Sequence, residues 1–459
     1  MSLSKGLPPH MRHHRQQLIP GWRQDRISHA RLGIVGDGPY PASFFLAAAS
    51  ALGARRFLII CPELHEPFVT LAQTLEPAVE WIHLRGWLTH PAPAALLTPC
   101  SALVDFSQLG LTNKILFNTA RQHCIPLITV RFLNAPCKSG FRFWSYSPGN
   151  ETALIHAMVS ERSLSAKAWQ DAATAMAAAG LALEEIKRVL FGQPHTTVPV
   201  DYVRPNPRTS FDNFRVAVVG AGALGNFAAA TLALCGCRHL TLFDADRVDV
   251  TNLNRQIFFA RDVGSPKAPA LAHRLNTFFA VQAQGIPQAV DDYTDLSPFD
   301  AILDCVDNFE TRRLLSLRAQ QEGKILISGG TGPDRGQVVA YHPHHSRHTP
   351  AQLLGLDRIL SRRQREGGKA TSHKRLVKER AVHHDTRWKP PLENTAKEGA
   401  SCLLQADPSV VMSNQIMGAL MADALRRILS GEPPGLIFYE SMELHGVRLM
   451  SVTDTEAQL

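Results

Sequence analysis

Two stretches of this chain repeat the same order of apolar runs and turn residues, and that repetition constrains the fold more than any other feature. Residues 31–41 align with 215–225, 53–63 with 236–246, 102–108 with 301–307, and 179–192 with 417–431. In each copy a short apolar run meets a glycine-containing loop, and the loop opens an Ala-rich helix. A second apolar run and then a third follow in both copies. Such punctuation is that of strand–helix–strand units, so the chain is expected to be α/β, with two copies of one parallel-sheet domain. Its 459 residues are enough for two or three cores, and 45% hydrophobic with 19% charged residues suits an α/β protein.

Only the second copy carries chemistry. Gly220, Gly222 and Gly225 follow the apolar run 216–219 and open a helix, so backbone N–H groups and a helix N-terminus can face phosphate. Alone, that loop fits any dinucleotide binder. Asp244 ends the next apolar run, where an acid can bond a ribose hydroxyl, and Asp246 follows it. Asn252, Asn254, Arg255, Gln256 and Lys267 then form a polar and basic cluster suited to a triphosphate. Asp307 and Asn308 follow the run 301–303, and the Asp307 carboxylate can hold Mg²⁺. In the first copy the third loop glycine is Pro41, the ribose acid is Cys61 and the metal acid is Gln108. Pro41 removes an N–H and fixes φ.

The second-copy set resembles the ThiF/MoeB and ubiquitin-activating-enzyme family. The resemblance implies two tandem Rossmann-like ThiF-type domains, the first degenerate and the second active, forming an intramolecular pseudo-dimer. It implies activation of the C-terminal carboxylate of a ubiquitin-like or ubiquitin-fold protein by ATP and Mg²⁺. Asp244 would hold ribose, Arg255 and Lys267 phosphates, and Asp307 the metal. Arg15, just before Gln16, matches an arginine that in this family reaches the partner domain's ATP; the alternative is an ordinary surface arginine. Relatives that form a thioester place a cysteine in the crossover region, where Cys402 lies. That residue would take the acyl group and pass it to a conjugating protein, or it is a packed helix-cap residue. Similar enzymes occur in bacterial operons that conjugate a ubiquitin-like protein, some of them in antiphage defence. Many relatives carry two C-x-x-C pairs for zinc; none stands here, so no four-cysteine zinc site is expected.

The expected boundaries are 1–193 for the degenerate domain, 194–208 for a proline-rich linker and 209–342 for the adenylation domain. Residues 343–400 read as a mobile basic crossover loop, and 401–459 as a segment with the nucleophile, a final helix and a β-hairpin. Much of the net charge of +8 falls between Arg347 and Lys397, and reads as a solvated loop rather than a nucleic-acid site. His342, His344, His345 and His348 crowd the start of that loop. Eight cysteines without paired spacing, no long apolar run and a polar first 17 residues lead to the expectation of a cytoplasmic, membrane-free protein. Two other readings stay open. One is a sulfur-carrier adenylyltransferase or tRNA-modifying dehydratase that forms no enzyme thioester. The other is a nicotinamide-dependent oxidoreductase or plain nucleotide binder, which has no need of Arg255, Lys267 and Asp307.

Overall fold

The computed structural model of the chain describes residues 9–135, 138–149, 171–196, 198–205, 211, 213–365, 408–442 and 446–453. Cys402 lies outside them. Strands β1 (Arg31–Gly36), β2 (Arg56–Cys61), β3 (Glu80–Arg85), β4 (Ala102–Phe106), β5 (Leu127–Ala135), β6 (Lys138–Tyr146) and β7 (Val200–Pro205) form one sheet, ordered β3-β2-β1-β4-β5-β6-β7. Strands β8 (Arg215–Val219), β9 (His239–Phe243), β10 (Gln282–Ile286), β11 (Ala301–Asp304), β12 (Ile325–Thr331), β13 (Arg335–Tyr341), β14 (Gly435–Met442) and β15 (Gly446–Thr453) form the other, ordered β10-β9-β8-β11-β12-β13-β14-β15. The second order is the first with one hairpin strand added. In each sheet the first five strands are parallel and the rest antiparallel. The repeat read from the sequence is therefore a repeat of topology: two tandem Rossmann-like domains.

The helices used below are α1 (His14–Gln17), α2 (Gln24–His29), α3 (Pro39–Ala51), α4 (Glu66–Leu75), α5 (Pro91–Ala94), α6 (Gly110–Gln122), α7 (Ala172–Leu190), α8 (Ala223–Leu234), α9 (Lys267–Phe278), α10 (Phe309–Gln321), α11 (Pro350–Leu353), α12 (Leu356–Arg365) and α13 (Val411–Leu429). Helices α3, α7, α13 and α8 form the middle layer, with α7 packed directly on α13. Helices α3 and α8 are almost wholly apolar, as helices buried on every side tend to be, whereas α7 and α13 also bury charged residues such as Glu184, Glu185 and Asp423. One continuous hydrophobic cluster runs through both halves.

Helices α7 and α13 are each 19 residues long. Gln415 Nε2 donates to the Met176 carbonyl at 3.1 Å. The helix starts differ by 411 − 172 = 239, and so do these two residues, 415 − 176 = 239. Counted from the two helix starts, the bond therefore joins matching points of α7 and α13. Arg204 sits on Asp423 at 2.5 Å and also on Asp171; Arg426 reaches Asp171 at 2.7 Å. These pairs fasten β7 and α7 of the first half to α13 of the second.

Two expected boundaries need correction. Residues 194–208 are not a plain linker, because 200–205 form β7, paired antiparallel with β6. Val200, Tyr202 and Arg204 are buried while Asp201, Val203 and Pro205 are exposed, which is the alternation of a half-buried strand. Pro205 is tolerated because it ends an edge strand. Residues 343–365 are not a loop throughout either, since they contain α11 and α12. Thr349 and Gln352 close a capping box on α11, and Leu354 and Leu356 pack with Phe309, Val339 and Leu436. The rest of the expected loop lies outside the described residues. Among the described residues no helix is long and apolar enough to cross a membrane.

Candidate active site

The site is built at the C-terminal ends of β8, β9 and β11, where strand order reverses in a doubly wound sheet. Gly220 turns the chain out of β8 with φ +97°, a left-handed conformation disfavoured for other residues. A Cβ there would press on the Cys305 carbonyl, and one at Gly225 would run into the Gly220 carbonyl. The two glycines let the loop fold tightly under the start of α8. No side chain caps α8, so its first N–H groups are left for a ligand.

Asp244 holds this loop. Its Oδ2 accepts from the Ala221 N–H at 2.7 Å and its Oδ1 from the Asp246 N–H at 2.8 Å. Burial pushes its carboxyl above the usual aspartate value, against the opposing pull of Lys267. Lys267 Nζ meets Asp246 Oδ2 at 2.7 Å; the lysine side chain is buried and the aspartate side chain largely exposed. Asn226, one residue beyond Gly225, donates to the Ala221 and Gly222 carbonyls, both at 3.0 Å, and accepts from the Phe258 N–H at 3.3 Å. It ties the loop to the segment that carries Arg255. Sequence reasoning passed over this residue, although a polar residue inside an apolar helix was a signal for it.

Arg255 is 7% exposed. Its Nη1 donates to the Thr251 carbonyl at 2.8 Å and to Asn254 Oδ1 at 2.9 Å. Among the described residues no carboxylate lies within ion-pair distance of it. The other cation nearby is Arg15, whose helix α1 packs on the turn Val250–Asn252. Burial first, and Arg15 second, push the Arg255 guanidinium down to about 9. Arg15 Nε and Gln256 Oε1 are both buried without a hydrogen-bond partner. Three other buried arginines are paired with carboxylates: Arg131 with Asp105 at 3.3 Å, Arg204 with Asp423, and Arg312 with Asp304 at 3.0 Å.

Several residues expected to touch nucleotide are occupied by the protein. Asn252 closes a capping box with Asp249, and Asn308 caps α10 by accepting from the Thr311 N–H at 2.8 Å. Asn254 bonds Gln16, Ser409 and Arg255. Asp307 is exposed just beyond β11, two residues past the carbonyl that packs on Gly220. Among the described residues no three His, Cys, Asp or Glu side chains gather to hold a metal. A lone carboxylate is what Mg²⁺ needs when phosphate oxygens and water complete its shell, so Asp307 fits the ion of a bound nucleotide. Cys305 is buried, and burial raises its thiol far above the usual range.

A doubly wound sheet with this glycine loop at its switch point is the architecture of a nucleotide-binding domain. Residues 197–457 match the ThiF family, and the chain belongs to it. It is 33% identical over 153 residues to the sulfur carrier protein adenylyltransferase of Thermus thermophilus, covering 32% of this chain and 56% of that protein. It is 33% identical over 134 residues to ubiquitin-like modifier-activating enzyme 5 of Xenopus laevis, covering 26% of this chain and 34% of that one. The chain therefore spans about half or less of these relatives' length. Escherichia coli MccB, solved with AMPCPP and MccA, aligns at TM-score 0.38 and 20% identity over 53% of this chain and 65% of that one, an overlap on which nothing below rests.

Proposed function

We propose that the second half binds ATP and adenylates the C-terminal carboxylate of a small ubiquitin-fold protein. The observation that carries this reading is the buried Arg255 beside Arg15, with no carboxylate within ion-pair distance among the described residues and Asp249 acting on it only from farther off. A buried unpaired cation is costly, and the site repays that cost when it binds an anion. A carboxylate oxygen of the protein substrate attacks the α-phosphorus. The bond from the α-phosphorus to the bridging oxygen breaks, and pyrophosphate leaves with the electron pair. Asp244 orients ribose while the loop N–H groups, Lys267 and Arg255 hold phosphate oxygens. Arg15, supplied by the first half, neutralises charge on the departing group. Mg²⁺ held by Asp307 supplies further charge neutralisation when bound.

On this reading Cys402 then attacks the acyl-adenylate, AMP leaves, and a thioester forms for transfer to a conjugating protein. A second reading stops at the adenylate; it is favoured by the likeness to a sulfur carrier protein adenylyltransferase. The test is ATP–pyrophosphate exchange with small glycine-ending ubiquitin-fold proteins encoded beside this gene, followed by a non-reducing gel. Exchange plus a thiol-sensitive band that Cys402→Ala abolishes supports the full sequence. Exchange with no band in the wild type favours the second reading. No exchange with any such protein, in a chain that still binds ATP, sinks the adenylation reading.

A further inference from the structure

The same site holds an arrangement that the reaction just described does not use. Three side-chain amides run in series from the first half to Arg255. Gln16 Nε2 donates to the Leu52 carbonyl at 3.0 Å and to Gln24 Oε1 at 2.6 Å. Gln24 Nε2 donates to the same Leu52 carbonyl at 2.8 Å. Asn254 Nδ2 donates to Gln16 Oε1 at 3.2 Å and to the Ser409 carbonyl at 3.0 Å. Asn254 Oδ1 accepts from Arg255 Nη1 at 2.9 Å. Leu52 caps the C-terminus of α3 in the first half, and Gln16 and Asn254 are both fully buried.

The direction of this series is fixed at its ends. The Leu52 and Ser409 carbonyls can only accept, so Gln16 and Asn254 must turn their NH₂ groups toward them. Each amide then presents its oxygen to the next donor, and the last oxygen meets the guanidinium. That oxygen is neutral. It aims Arg255 without cancelling its charge, whereas the arginines at Asp105, Asp304 and Asp423 are both aimed and neutralised. Gln16 also neighbours Arg15, so one anchor sets the position of both cations.

We propose that Gln16 and Asn254 are positioning residues. They form an amide relay through which the degenerate half holds the phosphate-binding arginine in place while leaving it charged for its anion. The proposal rests on the reading that Arg255 binds ATP.

The test uses the intact chain, with MgATP affinity measured by calorimetry and melting measured without ATP. Asn254→Asp places a carboxylate on Arg255. We expect ATP affinity to fall by roughly 30-fold, the size of one lost charge-assisted contact. Melting without ATP should change little, because the ion pair gained with Arg255 is set against the two donations to Gln16 and Ser409 that a carboxylate cannot make. Gln16→Met removes the relay's link to the first half and should weaken ATP by about ten-fold; combined with Asn254→Asp it should cost less than the product, as coupled residues do. If Asn254→Asp does not fold, Gln24→Met at the part-exposed end serves instead, with a roughly three-fold loss expected from a loosened neighbour and unchanged affinity counting against the relay. A wild type that binds ATP, with an Asn254→Asp variant that binds it equally tightly, would overturn the relay alone. A wild type that binds no ATP would remove the nucleotide reading, and the relay with it.

Discussion

The two halves share one topology and differ at four places, and those places show how little of a nucleotide fold is needed to lose its site. In the second half Gly220 turns left-handed and α8 begins with residues that all keep their N–H. In the first half α3 begins with Pro39 and carries Pro41 in the same turn, so two of its first three N–H groups are missing. Where Asp244 holds the loop, Cys61 is buried and donates to the Glu63 carbonyl at 3.2 Å. Where Asp307 is exposed, the Gln108 side chain is turned inward, donating to the Phe106 carbonyl at 3.0 Å and accepting from the Phe132 N–H at 2.9 Å. Asp37 accepts the Gln108 N–H at 2.5 Å, so a carboxylate of the protein occupies donors that a ligand anion would otherwise seek. The apolar strands and the shared helical layer meanwhile stay intact. The first half still supplies Arg15, the Leu52 carbonyl that holds Gln16, and half of a common core.

The largest test of this contrast is loss of chemistry. Asp307→Ala and Lys267→Ala should each reduce ATP–pyrophosphate exchange by at least ~10³-fold, since each removes charge that faces the triphosphate. Gln108→Ala and His65→Ala in the first half should leave exchange within about two-fold, as substitutions away from a reacting centre do. Calorimetry on the wild type should give one ATP per chain. Two would restore the first half as a working site.

Next in size comes the loop itself. Gly225→Ala forces a Cβ onto the Gly220 carbonyl and must move backbone. We expect it to weaken ATP by about 100-fold or more, equal to roughly 3 kcal/mol. Pro41→Ala in the first half restores an N–H but neither Asp nor open loop, and should create no second binding event. Because one hydrophobic cluster spans both halves, these measurements belong in the intact chain rather than in separated domains.

These two tests mark what the sequence could and could not reveal. The two tandem Rossmann-like domains were legible because apolar periodicity and a few glycines and turn residues encode them locally. The strand Val200–Pro205 was not, since Pro199, Pro205 and Pro207 in and beside it outweigh a six-residue alternation until the β6 edge is there to pair with. The helices Pro350–Leu353 and Leu356–Arg365 were hidden because their apolar residues find partners on α10 and β13, distant in sequence. In the site, Arg255, Lys267 and Asp307 were chosen by type and spacing. Asn254 was chosen by the same rule, but its amide is spent on Gln16, Ser409 and Arg255, a role visible only when residues 238 positions apart come together. Whether Asn252 or Asn308 touches nucleotide could not be read from type either, because asparagine caps turns and helices as readily as it binds ligands.

The halves also differ in how they hold their equivalent buried acids. Asp304 and Arg312 are both fully buried, and Arg312 further donates to the Val306 and Gly329 carbonyls and to Ser328. Arg312→Ala would leave the fully buried acid with only the Ser328 hydroxyl at 2.7 Å and the Val306 N–H at 3.2 Å, and should cost about 3 kcal/mol, seen as a lower melting temperature. Asp105 keeps Ser107 and Asn113 as donors when Arg131 is removed. Arg131→Ala should therefore cost only about 1–2 kcal/mol. Equal losses would mean that the two acids are held alike.

The smallest effect concerns Asp37, whose counterpart is Ala221. Burial pushes the Asp37 carboxyl up from 3.8 to about 6, with the Gln108 N–H pulling the other way. The folded state then binds a proton more tightly than the unfolded chain. Its contribution is present in full below pH 3.8 and is lost as pH rises through about 6. Above that pH the wild type carries a half-buried charge that the second half, with alanine there, avoids. Asp37→Asn cannot ionise, yet its Oδ1 can still accept the Gln108 N–H. The stability of Asp37→Asn relative to wild type should thus rise between pH 4 and 8, by about 3 kcal/mol at most from that pKa gap and by less after solvent screening. Chemical denaturation at the two pH values measures it. A difference that is flat with pH, or that falls, would mean that the carboxylate is well solvated and that the first loop is an open site rather than a filled one.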